Sequence, residues 1–348
     1  MKVDLGATVR PAQAADLARR TEAAGFDALW AAETNHDPFL SCALAAASTE
    51  SIEIGTAIAI AFARSPMTLA NTAHDLQELS GGRFVLGLGS QIRPHIEKRY
   101  SMPWSHPARR MREFIQALRA IWDTWEHGTP LEFEGEFYRH TLMPPMFTPR
   151  AHGHGAPKVF LAGVGPRMTE VAGEVADGFI CHGFSSERYL RERTLPALAR
   201  GCERAGRSVD DLEIVAPGFV VTGVDDEAIE RAKRATRRQM AFYGSTPAYR
   251  PVLELHGWGD LQAELHAMSK DGAWERMGAL ITDEILETFA VVGRPEDIGP
   301  ELHRRYGDIA NRVTSYERPN AGPAVNAWTA IAHTLRQPDP TATERAHR

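Results

Sequence analysis

Two glycine-ended apolar runs carry the clearest chemical signal in this chain of 348 residues. The first is Ser80 to Gln91, SGGRFVLGLGSQ, in which a Gly-Gly-Arg turn leads into an apolar run ending at Gly89-Ser90-Gln91. The second is Lys158 to Gly165, KVFLAGVG. A run that is apolar on both faces reads as a buried parallel strand. Glycine at its C-terminal edge removes the Cβ that would hold a flat or anionic ligand away from the backbone. Ala162-Gly163-Val164-Gly165 then enters a helix near Met168, and N–H groups at such a helix start form an anion site. Together the two strands suggest a cofactor lying across the mouth of a parallel sheet.

Proton chemistry has its own candidates. Glu33 would project from the end of the second strand and can act as an acid. His36 follows in Thr34-Asn35-His36-Asp37-Pro38-Phe39, and an imidazole with a pKa near 6.5 suits proton transfer. Its alternative is a capping or hydrogen-bonding role in the loop. His95, after the fourth strand, can meet a phosphate or a substrate, and Arg93, Lys98 and Arg99 can meet an acidic ligand; a solvated loop is the alternative. Arg64 lies just beyond the third strand, near the same mouth. His152-x-His154 has metal-like spacing, but it sits in a glycine-rich loop with no carboxylate pattern nearby, so a flexible loop and no metal are expected. Met143, Met146 and Phe147 either wall a pocket or seal a rim. Tyr243, Tyr249, His256 and Trp258 belong to a later excursion expected to lid the substrate pocket. Tyr316 and Arg318 end the last strand and can reach the same space.

The elements that must position these residues alternate regularly. Strand patterns occur at Val3 to Val9, Asp27 to Ala32, Ile52 to Ile60, Arg83 to Gly89, Val159 to Ala162, Gly178 to Cys181, Leu212 to Thr222 and Ala310 to Tyr316. Each is followed by a helical pattern, including Pro66 to Leu79, Pro107 to Gly128, Arg167 to Val175, Ser186 to Ala205 and Asp226 to Phe242. Two stretches break the rhythm: a hairpin with an irregular insertion at about 131–157, and an irregular region at about 244–281. Residues 337–348, rich in Pro, Thr and charge, read as a frayed tail. Eight strand–helix units without an internal repeat predict one α/β domain over 1–348, a (β/α)8 TIM barrel with two insertions, in preference to a doubly wound sheet. Such a barrel binds its ligand at the C-terminal strand ends.

Bulk properties narrow the class further. The chain is 43% hydrophobic and 24% charged with a net charge of -6. That acidity argues against nucleic acid as a partner. No apolar run approaches the roughly 20 residues of a membrane span, and the start MKVDLGATVR lacks the apolar core of a signal peptide. Three widely spaced cysteines without a CxxC fit neither a disulfide framework nor zinc. The expectation is a cytoplasmic enzyme acting on a small molecule.

The segments AAGFDALWAAE (Ala23 to Glu33), ESIEIGTAIAI (Glu50 to Ile60), LSGGRFVLGLGS (Leu79 to Ser90), VFLAGVGPRMTEVAGEVADGF (Val159 to Phe179) and GRPEDI (Gly293 to Ile298) resemble the bacterial luciferase-like superfamily. The likeness is strongest to its coenzyme F420-dependent oxidoreductases. The resemblance implies a non-proline cis peptide at Ala57-Ile58, forming a bulge behind the cofactor's central ring. It implies that Gly89, Ser90 and Gln91 contact that ring and its side chain, and that Ala162, Gly163, Val164 and Gly165 cradle the phosphate. His95 joins the cofactor set, and Arg93, Lys98 and Arg99 would face the acidic tail that F420 has and FMN lacks. The family commonly carries Asp-His or Glu-His at the end of strand two; here Thr34 follows Glu33, and His36 would fill the role from a longer loop. The implied activity is hydride transfer between F420 and a small organic substrate. The alternatives are an FMN-dependent monooxygenase and a non-catalytic flavin-binding protein. Relatives are often dimers, so a homodimer is implied as well.

Overall fold

The computed structural model describes residues 1–315 and 322–336. The expectations placed on Tyr316, Arg318 and the tail at 337–348 lie outside the described residues. Eight parallel strands carry the fold: β1 (Lys2–Ala7), β2 (Ala28–Ala31), β3 (Glu53–Thr56), β4 (Phe84–Gly89), β5 (Lys158–Ala162), β6 (Gly178–Ile180), β7 (Glu213–Ala216) and β8 (Arg312–Thr314). Between them run α1 (Pro11–Ala23), α2 (Pro38–Ala46), α3 (Pro66–Leu79), α4 (Pro107–His127), α5 (Pro166–Val175), α6 (Leu195–Arg204), α7 (Asp226–Gly244) and α8 (Pro295–Tyr306). This is the (β/α)8 barrel that the alternation predicts.

The chain forms two compact units, one of residues 6–180 and 195–213, the other of 1–5, 181–194 and 214 onwards. In the first, β3 pairs in parallel with β2 and β4, β4 with β5, and β5 with β6. Every position of β2 and β4 is buried, as expected of parallel strands covered on both faces. Proline opens α1 to α5, where its missing N–H has no partner to lose. The Asp37 carboxylate caps α2 by accepting from the amides of Phe39 and Leu40, and Ser65 caps α3 through Thr68. In the second unit β8 pairs with β1 and β7. There an apolar cluster that includes Phe184, Phe219, Met240, Leu253, Leu265 and Phe289 forms the core.

Three expectations are corrected. The run Ile52 to Ile60 is not one strand: β3 ends at Thr56, and a separate short piece, Ala59–Ile60, pairs with the end of β4. Leu212 to Thr222 also divides; Val220–Thr222 leaves β7 and pairs with Val291–Gly293. The helix expected over Ser186 to Ala205 is present as one continuous helical stretch, wound more widely at Leu190–Thr194. The region at about 244–281 is largely helical, with helices Arg250–Leu255, Gly259–Lys270 and Trp274–Met277. The hairpin in the first excursion is present, pairing Phe133–Glu134 with Arg139–His140. Its turn is tied to α4, because the Glu113 carboxylate accepts from the amides of Glu136, Phe137 and Tyr138. No helix among the described residues is long and apolar enough to cross a membrane.

Candidate active site

The C-terminal ends of β2 to β5 bring several expected residues together within the first unit. The peptide bond between Ala57 and Ile58 is cis. Gly89 lies against the Ile58 side chain, so closely that a Cβ at Gly89 would stand 2.8 Å from Ile58 Cδ1. Any larger residue at position 89 would have to displace the Ile58 side chain. Glu33 joins the same place from β2: its amide donates to the Ile58 carbonyl at 3.3 Å, and its Oε2 accepts from the Ile60 amide at 2.7 Å.

The Glu33 carboxylate is nearly buried, with 6% of its side chain exposed. Arg64 grips it in a two-pronged pair, Nη1 to Oε2 at 2.8 Å and Nη2 to Oε1 at 3.0 Å. The same Nη2 reaches Asp37 Oδ2 at 3.0 Å, and Nη1 also donates to the Ile60 carbonyl. The Tyr100 hydroxyl donates to Glu33 Oε1 at 3.2 Å. Burial works against the Arg64 charge, but the Glu33 and Asp37 carboxylates outweigh it and raise its pKa. Burial and then the Glu33 charge raise that of the Tyr100 phenol. Asp37 and Tyr100 went unnoticed in the sequence because their contacts span 27 and 67 positions.

His36 sits half-buried in the loop between Glu33 and Asp37, and its imidazole has no hydrogen bond among the described residues. Past β4, Gln91 adopts a left-handed conformation with φ of 59°, its Oε1 accepting from the Ile92 amide. Ser90 Oγ donates to the Gln91 carbonyl. His95 is exposed at the start of a wide turn, His95–Arg99, and no contact joins its ring to the Glu33 cluster. Arg93 pairs with Glu97, and Arg99 donates to the Thr34 carbonyl across the Tyr100 ring.

Beyond β5, Ala162 and Gly163 lead to Gly165, the N-cap of α5, with φ of 81°. A Cβ at Gly165 would meet nothing within 4 Å, so its front is open. Pro166 opens the helix without an N–H, and the amides of Arg167 and Met168 in its first turn have no intrahelical acceptor, so the helix start fits an anion. Arg167, on the same turn, is exposed.

Other candidates fall elsewhere. His152 is half-buried, its ring tilted against that of His74 at 4.3 Å, whereas His154 is exposed with its ring 5.3 Å from His152. Burial, with His74 and His154 beside it, lowers the His152 pKa. No group of three or more His, Cys, Asp or Glu among the described residues is placed to hold a metal ion. The Met143 sulfur accepts from the Trp125 indole, while Met146 and Phe147 face solvent. In the second unit, Tyr249 stacks on His182 and Tyr243 meets it edge-on. His182, which the sequence did not single out, accepts at Nδ1 from the Phe184 amide, so Nε2 carries its proton and donates to the Tyr249 hydroxyl at 3.0 Å. Ser186 and His256 pair at 2.7 Å, and His256 stacks on Trp258.

Comparison with known proteins bears on the family and the fold. The luciferase-like monooxygenase family matches residues 2–311. An uncharacterised protein of Mycobacterium tuberculosis is 56% identical over 313 residues, 90% of this chain and 92% of that protein. The coenzyme F420 dependent tetrahydromethanopterin reductase of Methanopyrus kandleri has the same fold, with a TM-score of 0.78 and 20% identity over 96% of this chain and 97% of that one. So has the FMN-bound oxygenating constituent of 3,6-diketocamphane monooxygenase from Pseudomonas putida, with a TM-score of 0.70 and 17% identity over 96% of this chain and 97% of that one.

Proposed function

The chain belongs to the luciferase-like monooxygenase family, and from that premise we propose that it is an F420-dependent oxidoreductase acting on a small organic substrate. One observation carries the choice of a phosphate-bearing ring cofactor. The open front of Gly165 at the start of α5 lies one strand away from a strand end stripped to Gly89 against Ile58. In this reading Ala162 to Gly165 and the first turn of α5 bind the phosphate, where the N–H groups and helix dipole favour an anion. Ala57 and Ile58 back the ring, Gly89, Ser90 and Gln91 border it, and His95 lies further out. When bound, the deazaflavin supplies the carbon that takes or gives a hydride. The chain's own part is to orient that ring, exclude water and move a proton at an imidazole nitrogen of His36. Exposed Arg167, on the helix turn beside the phosphate cradle, suits the acidic tail of F420.

A second reading, an FMN-dependent monooxygenase, draws on the Arg93–Glu97 pair and the Arg99–Thr34 bond, which occupy two cations expected to face that tail. Titration of the purified protein with F420 and with FMN, followed by fluorescence, separates the two. The expected result is F420 binding at micromolar concentration or tighter. Micromolar FMN binding without F420 binding would replace the first reading by the second.

A further inference from the structure

We propose that Arg64 is the positioning residue of this site: one guanidinium fixes both the loop that presents His36 and the strand end that presents Ile58. The proposal rests on the cofactor reading for the meaning of those two places, but its geometry stands apart from it. Glu33 and Asp37 close the loop that holds Thr34, Asn35 and His36, and both carboxylates are held by Arg64 Nη2, at 3.0 Å each. Asp37 uses its other oxygen to cap α2, accepting from Phe39 at 2.8 Å. The Phe39 ring in turn lies under the guanidinium, 5.1 Å from its carbon. On the far side Arg64 Nη1 donates to the Ile60 carbonyl, and Glu33 Oε2 accepts from the Ile60 amide. Both backbone polar groups of Ile60, two residues after Ile58, are therefore fastened to the Arg64–Glu33 pair.

Two consequences follow from hydrogen-bond geometry. The Glu33 oxygens already accept four donors: Ile60 N, both Arg64 nitrogens and the Tyr100 hydroxyl. Glu33 is thus an anchor, and proton movement falls to His36, whose imidazole makes no hydrogen bond among the described residues although the loop around it is clamped. Secondly, lysine cannot replace Arg64. Four bonds in one plane need a rigid fork, which an ammonium group does not have.

The test is hydrogen exchange on the cofactor-free protein, comparing wild type with Arg64→Met, Arg64→Lys and Arg64→Gly. The expected result is exchange at least about tenfold faster at the amides of Glu33 and Ile60, whose bonds to the Ile58 carbonyl and the Glu33 carboxylate the clamp holds, in all three variants, with strands and helices away from the clamp unchanged. Millimolar guanidinium chloride, and not ammonium chloride, should restore protection in Arg64→Gly. Exchange within twofold of wild type in Arg64→Lys and Arg64→Met would overturn the proposal. So would acceleration spread evenly over the chain, which would mark a general loss of stability. A wild type that binds neither F420 nor FMN would overturn the cofactor reading alone, because the exchange pattern is read without either.

Discussion

Burial holds the His182 imidazole neutral, its pKa pushed down from 6.5 to about 4. Its Nδ1 accepts from Phe184 and its Nε2–H serves Tyr249, so both nitrogens are used in the uncharged form. An unfolded chain takes up the proton as pH falls through 6.5, while the folded chain resists until about 4. The stabilisation from neutral His182 is therefore complete above pH 6.5 and is lost between there and about pH 4. A shift of this size corresponds to about 3 kcal/mol. Urea midpoints measured at pH 7 and pH 4.5 should fall less for His182→Asn, which keeps an acceptor for Phe184 and cannot titrate. An equal fall in the variant would remove His182 from the pH response. Single residues were the hardest level to read in the sequence. Glu33 and His36 stood out as polar groups past an apolar strand, yet the role of Glu33 depends on Arg64, 31 positions away. Nothing within a local window of sequence encodes that partner.

At the scale of elements, apolar runs and their punctuation located the strands and helices, and α3 runs from Pro66 to Leu79 as expected. What escaped was interruption. IEIGTAIAI is mostly apolar and reads as one strand, but the backbone turns at Ala57 and Ile58, and pairing with β4 resumes only at Ala59. Thr56 bridges the gap: its hydroxyl donates to the Gly87 carbonyl at 2.7 Å and accepts from the Gly87 amide at 3.0 Å. A Cβ at position 87 would overlap the Thr56 carbonyl oxygen, so the bridge also needs glycine there. The helices within 244–281 escaped for the opposite reason. Pro247, Pro251 and Gly257 look like breakers, whereas the prolines open short helical segments and Gly257 separates two helices whose apolar sides, such as Leu253 and Leu265, join a common core. Thr56→Val keeps the shape and removes both bonds, leaving a buried amide and carbonyl without that partner. It should lower stability by about 1–3 kcal/mol in denaturant titration. Thr56→Ser should lose much less, and equal losses would show that the methyl group matters rather than the bridge.

For the whole molecule, the barrel class was legible because eight strand–helix units leave few topologies open. The pairing of the first strand with the last was not legible locally. In the second unit β1 and β8 lie side by side, Asp4 opposite Thr314. Arg312 grips Asp4 through Nε at 2.7 Å and Nη2 at 2.9 Å, both side chains fully buried and 308 positions apart. From VDLGA alone, Asp4 would be placed on a solvent-facing side. Strands buried on both faces give it no such side, so it requires a cation from elsewhere in the chain. Desolvating two charges offsets most of their attraction, so the pair adds little net stability, yet breaking it strands a buried charge. Arg312→Met should therefore cost about 3–5 kcal/mol, measured by urea unfolding, because Asp4 keeps its burial and loses its bidentate partner. Replacing both, as Asp4→Leu with Arg312→Met, should recover most of that loss. A single variant within about 1 kcal/mol of wild type would mean that the other contacts of Asp4 suffice, and that β1 and β8 are joined by their backbone ladder rather than by this pair.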